Sequence, residues 1–98
     1  MDQLLGETNR RGAHVAIALT IYSRPGCHLC AEMKTVVEHV ARTVELTLQE
    51  IDISTDPALE QRYGLEIPVL LVDGRKAAKY RIDEDALLRL LQQRVLAR

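Results

Sequence analysis

Cysteine occurs twice in this chain, at positions 27 and 30, with His28 and Leu29 between. A disulfide between residues three apart closes almost no loop, so it restrains the unfolded chain little and makes a poor structural staple. Cysteines at this spacing serve redox cycling or metal binding instead. Structural zinc sites use four ligands and often draw on a second such pair. This chain has none, and its other histidines, His14 and His39, stand alone. No metal is therefore assigned, and thiol–disulfide chemistry is the expectation.

Position decides what such a pair can do. Upstream, Val15 to Tyr22 places Val15, Ile17, Leu19 and Ile21 on one parity and Ala, Ala, Thr and Tyr on the other, a pattern expected of a strand buried on both faces. Ser23-Arg24-Pro25-Gly26 then breaks the strand. Leu29, Met33, Val36, Val37, Val40 and Val44 follow at helical spacing. Cys27 thus falls at a helix start, where free backbone N–H groups and the positive end of the dipole favour a thiolate. Cys30 lies one turn further in. Cys27 is the expected nucleophile and Cys30 the thiol that resolves a mixed disulfide. His28 either favours the thiolate further as an imidazolium or is a solvated residue at the helix start. Arg24 either adds positive potential at the mouth or is a turn residue.

The remaining elements must hold this segment. Leu46 to Ile53 reads as a second strand whose alternation slips between Leu48 and Ile51. Asp56-Pro57 opens a short helix to Tyr63, with Gly64 as its stop. Ile67 to Val72 is an apolar run of strand length, Asp73-Gly74 a hairpin turn, and Arg75 to Arg81 the polar returning strand at a sheet edge. Asp83 caps a last helix with Glu84 and Asp85 in its first turn and Leu87, Leu88, Leu91 and Val95 as its buried stripe. The order is β-α-β-α-β-β-α. A right-handed crossover makes the first two strands parallel, and the tight turn makes the last two antiparallel. The expectation is an α/β domain, a four-stranded mixed sheet with helices on both faces, spanning 13–98 after a polar leader at 1–12.

With 98 residues there is room for one core. Trp and Phe are absent, so aliphatic side chains must fill it. Thirteen basic residues against fourteen acidic ones leave a net charge of −1, which gives no field for nucleic acid or an anionic membrane. No run approaches the ~18 apolar residues of a membrane helix, and the polar N-terminus is unlike a secretory signal. A monomer in the cytoplasm is expected.

The segment Thr20-Ile21-Tyr22-Ser23-Arg24-Pro25-Gly26-Cys27-His28-Leu29-Cys30 resembles the strand and active-site region of glutaredoxin-like proteins in the thioredoxin superfamily. Ile67-Pro68-Val69 resembles that superfamily's cis-proline loop, and the likeness extends over roughly Leu19 to Leu96. It implies a thioredoxin-like fold, a cis bond before Pro68, and an Ile67 backbone that pairs with an incoming peptide or glutathione. Read locally, Pro68 would only begin a buried strand. Two departures stand out. His28 and Leu29 replace the usual proline and aromatic residue. Tyr80-Arg81-Ile82-Asp83 stands where glutaredoxins carry two glycines and an acid that hold the glutathione γ-glutamyl group. Asp83 is then either that acid or a helix cap.

The resemblance implies an enzyme that reduces small-molecule or protein disulfides with no resident cofactor. Arg24, Ile67, Pro68 and Tyr63 would line its groove, and glutathione or a thioredoxin-type reductase would restore the dithiol. The alternatives are an iron–sulfur cluster carrier using Cys27 and external glutathione between two subunits, and a redox sensor or non-catalytic binding module.

Overall fold

The structure, a computed structural model, describes residues 16–97. The expected leader 1–12, His14 and Val15 lie outside that range. Four strands and three helices follow one another: β1 (Ile17–Ser23), α1 (His28–Val40), β2 (Leu46–Asp52), α2 (Pro57–Tyr63), β3 (Val69–Val72), β4 (Arg75–Lys79) and α3 (Glu84–Ala97). A short 3-10 turn, Ile53–Thr55, links β2 to α2.

The sheet order is β2-β1-β3-β4. β1 runs parallel to β2, with Ile17 beside Leu46 and Ser23 beside Asp52. It runs antiparallel to β3, with Leu19 opposite Val72 and Tyr22 opposite Val69. Asp73 and Gly74 both take positive φ, 50° and 83°, as a type I′ hairpin requires, and β4 returns at the sheet edge. The architecture is the expected β-α-β-α-β-β-α with a mixed sheet.

Parity explains where the core sits. Ile17, Leu19 and Ile21 of β1 are buried with Leu70 and Val72 of β3. Against them pack Met33, Val37 and Val40 from α1 and Leu87 and Leu91 from α3. Full burial of such a side chain contributes roughly 1.5–3 kcal/mol, so this layer fixes α1 and α3 to one face. α2 belongs to the other face, where Tyr63 stacks on Tyr22 with ring centroids 4.8 Å apart. Asp56 caps α2 by accepting from Ala58 N and Leu59 N, at 3.0 and 3.3 Å.

Several expectations need correction. β1 is buried on one face only: Ala18 is exposed and Thr20 and Tyr22 are half-buried, because a seven-residue α2 cannot cover the whole sheet. Val44 lies beyond α1, which ends at Val40 and unwinds through a turn. β4 stops at Lys79 rather than Arg81, and Ile67-Pro68 precedes β3 instead of starting it. Val95 is 54% exposed, since α3 outruns the sheet it packs on.

Candidate active site

The motif sits where β1 hands over to α1. Arg24 O accepts from Cys27 N at 3.1 Å, and Gly26, at φ 80°, makes the left-handed turn that a side chain would resist. Cys27 is the N-cap of α1, with extended backbone, and its sulfur accepts from Cys30 N at 3.1 Å. The two cysteines are joined as a disulfide. Cys27 is half-buried, whereas Cys30 is 2% exposed and faces the core. A thiolate formed at position 27 would meet the same backbone donor and helix terminus that now hold the sulfur.

Ile67 and Pro68 lie at the same end of the sheet, since Tyr22, one residue before the end of β1, pairs with Val69. The Ile67–Pro68 bond is cis. Pro68 O accepts from Tyr80 N at 2.8 Å, which ties this loop to the segment before α3. Tyr80 takes φ 70°, a conformation that costs a side-chain-bearing residue about 1–2 kcal/mol. Its hydroxyl donates to Leu65 O at 3.1 Å. A glycine-type backbone is therefore present here without a glycine.

The other candidate residues have defined partners. The Arg24 guanidinium pairs with Glu60 on α2 and reaches Gly64 O at 3.5 Å, so its charge is directed at α2. Gly64 is right-handed, at φ −55°; a Cβ there would crowd the Glu60 carbonyl and come within 3.2 Å of Arg24. It ends α2 while leaving room for the arginine. Asp83 Oδ1 accepts from Ala86 N at 2.8 Å, the contact of a helix N-cap. His28 is exposed on the first turn of α1.

Three residues join the site that sequence reasoning did not single out. Ser23, 4% exposed, donates to Glu50 Oε2 at 3.0 Å, and Lys34 Nζ lies 3.2 Å from Glu50 Oε1. Lys34 and Glu50 line an open depression of about 420 Å³ that also holds Arg24, His28, Cys27 and Cys30. A signal did exist. Glu50 follows Leu46 and Leu48 on the core-facing parity of β2, where a charge is out of place unless it has partners.

The family model for the Glutaredoxin-like domain (DUF836) matches residues 18–92, which includes the motif, the cis-proline loop and most of α3. The chain belongs to the glutaredoxin-like domain family. It is similar to "Glutaredoxin-like protein YDR286C homolog" of Dictyostelium discoideum, at 33% identity over 78 residues, covering 74% of this chain and 72% of that one. Among solved structures it resembles the target protein XcR50 from X. campestris, at 34% identity and TM-score 0.63, covering 76% of this chain and 96% of that one. It also resembles a mutant thioredoxin from Halobacterium salinarum NRC-1, at 29% identity and TM-score 0.57, covering 79% and 73% of the two chains. The fold is thus thioredoxin-like, and a glutaredoxin-like chain with this cysteine pair points to a redox role. Among the described residues, no helix is long and apolar enough to cross a membrane, and no group of three or more His, Cys, Asp or Glu is placed to hold a metal ion.

Proposed function

We propose that this glutaredoxin-like protein is a thiol–disulfide oxidoreductase that reduces disulfides of proteins or small molecules through Cys27 and Cys30. The observation that carries the reading is the unequal placement of two bonded sulfurs, one on a helix N-cap at the surface and one buried behind it.

In the reduced protein the Cys27 thiolate attacks one sulfur of the substrate disulfide. A mixed disulfide forms, and the first substrate thiolate leaves and takes a proton from water. The Cys30 thiol then gives its proton to the hydroxide left by that step and attacks the Cys27 sulfur. The second substrate thiolate leaves, and the Cys27–Cys30 disulfide remains. Two electrons have passed to the substrate. Two equivalents of glutathione, or a thioredoxin-type reductase, return them. The Ile67 backbone beside the cis bond aligns the substrate chain, and Arg24 fixes the turn before Cys27. The reaction suits a monomer in the reducing cytoplasm and needs no resident cofactor.

The test is a trap. Cys30→Ser protein, reduced and mixed with a disulfide substrate, is expected to accumulate a covalent adduct at Cys27, read by intact mass and peptide mapping. No adduct with either a protein disulfide or a small disulfide would refute the proposal.

A further inference from the structure

A second, larger hollow of about 560 Å³ opens beside the motif, between α1 and the start of α3. That volume falls within the ~300–1,000 Å³ usual for ligand clefts. Its floor is apolar: Leu29, Met33, Val36 and Ile82. Met33 is fully buried, and Val36 and Ile82 are only partly covered by the core beneath them. Its rim carries the carboxylates of Glu32, Asp83 and Glu84.

The rim charges are incompletely balanced. Arg81 approaches Glu32 at 3.5 Å with both side chains largely exposed, and His39 Nδ1 lies 2.8 Å from Glu84. Asp83 accepts the Ala86 N–H with one of its two oxygens, at 2.8 Å. The lining residues thus include three carboxylates and one permanent cation, and Lys79 lies over the Tyr80 ring at 5.4 Å. On the opposite side of the sheet Arg62 and Lys76 lie over the Tyr63 ring, with Lys76 paired to Glu66 at 2.8 Å. Leu29 belongs both to the motif and to the hollow's floor, so a chain seated there continues directly to the reactive sulfurs.

We infer that this groove seats a peptide segment of the protein substrate, with an aliphatic side chain on the floor and lysine or arginine side chains against the rim. The inference rests on the dithiol reading and deepens it by naming the substrate class: a protein disulfide flanked by an aliphatic residue and basic residues. An anionic thiol such as glutathione meets the same carboxylates with the wrong sign. Tyr80, at φ 70°, is among the residues that line this groove.

The test separates binding from chemistry. First, oxidised protein is titrated with two serine-for-cysteine peptides of equal length, one with leucine–lysine flanks and one with leucine–glutamate flanks. Methyl resonances of Leu29, Met33 and Val36 are expected to shift with the basic peptide and to stay in place with the acidic one. Equal responses, or shifts confined to other residues, overturn the inference whether or not the protein reduces anything. Second, pre-reduced protein meets the disulfide forms of the same peptides, and 2-hydroxyethyl disulfide, in single turnover. The basic peptide is expected to react about 5-fold faster than the acidic one at low salt, the scale of one well-placed exposed charge contact, with the preference fading as salt rises. Glu32→Lys should shrink that ratio toward one. Reduction of the neutral disulfide with no preference between the peptides overturns the groove and spares the dithiol reading. Peptide binding without reduction of any substrate does the reverse.

Discussion

Asp83 tests a structural role against a ligand-binding one. In the structure its Oδ1 takes the Ala86 N–H at 2.8 Å, and its backbone carbonyl takes the Leu87 N–H at 3.0 Å. Asp83→Ala removes the side-chain acceptor and leaves a helix donor without a protein partner. The loss is about 1 kcal/mol, within the ~0.5–2 kcal/mol range for N-cap removal. For a domain of this size that lowers the melting temperature by about 4–8 °C. Asp83→Asn keeps an acceptor and loses only the charge at the positive end of α3, a cost of about 0.3–0.5 kcal/mol. The assay is urea denaturation of the oxidised protein, followed by far-ultraviolet circular dichroism, for the wild type and both variants. The reasoning predicts that Ala is clearly worse than Asn. If Ala costs under ~0.5 kcal/mol, the level of an ordinary surface change, the carboxylate is not acting as a cap.

Three further outcomes are expected. Cys27→Ser abolishes disulfide reduction but keeps an oxygen at the N-cap of α1, whereas Cys27→Ala also loses the cap and should be about 1 kcal/mol less stable than Ser once both lack the disulfide; equal stability would deny the sulfur its capping role. Leu87→Ala, at a fully buried position between α3 and the sheet, should cost about 2–5 kcal/mol in chemical denaturation, and a loss below ~1 kcal/mol would contradict the packing described. Hydrogen bonds from the Ser54 side chain and backbone hold the Asp52 carboxyl below its ordinary value of 3.8, and the Lys76 hydrogen bond holds Glu66 below 4.5. A carboxyl depressed in the fold stabilises it above the ordinary value and stops doing so as pH falls through the folded value, so stability should be level near neutrality and decline on the acid side of that range. Asp52→Asn and Glu66→Gln should each flatten the decline, and a profile that rises on acidification would refute the assignment.

The topology was legible because each element announces itself locally. Period-two aliphatics marked β1, period-3.6 aliphatics marked α1, and Asp-Pro and Asp-Gly marked a helix start and a hairpin. What escaped were properties set by tertiary extent. Val95 keeps α3's periodicity and is exposed because the helix outruns the sheet. Ala18 and Thr20 fit a buried strand in composition, yet α2 is too short to cover them. At the site, the cysteines and the Ile67-Pro68 segment were readable from spacing and resemblance. Lys34 and Ser23 were not, because a helix and a strand far apart in sequence bring them to Glu50, whose charge on the core-facing parity of β2 was the one sign of the cluster. Tyr80's positive φ had no local sign, since its backbone contact to Pro68 O arises only in the folded chain.

The unequal burial of the two sulfurs has a consequence for damage as well as for turnover. A peroxide or alkylating reagent arriving from solvent meets position 27 and finds position 30 walled off at 2% exposure. The first oxidation of the reduced protein therefore falls on one known atom, and the product, a sulfenic acid at Cys27, has a thiol waiting one helical turn away. Condensation to the intramolecular disulfide releases water and removes the sulfenic acid before a second oxidant can carry it to an irreversible state. The geometry that sets the two sulfurs apart also protects the exposed one, and in a chain lacking Cys30 the reactivity of Cys27 toward a disulfide should be lost to peroxide faster than the fold is.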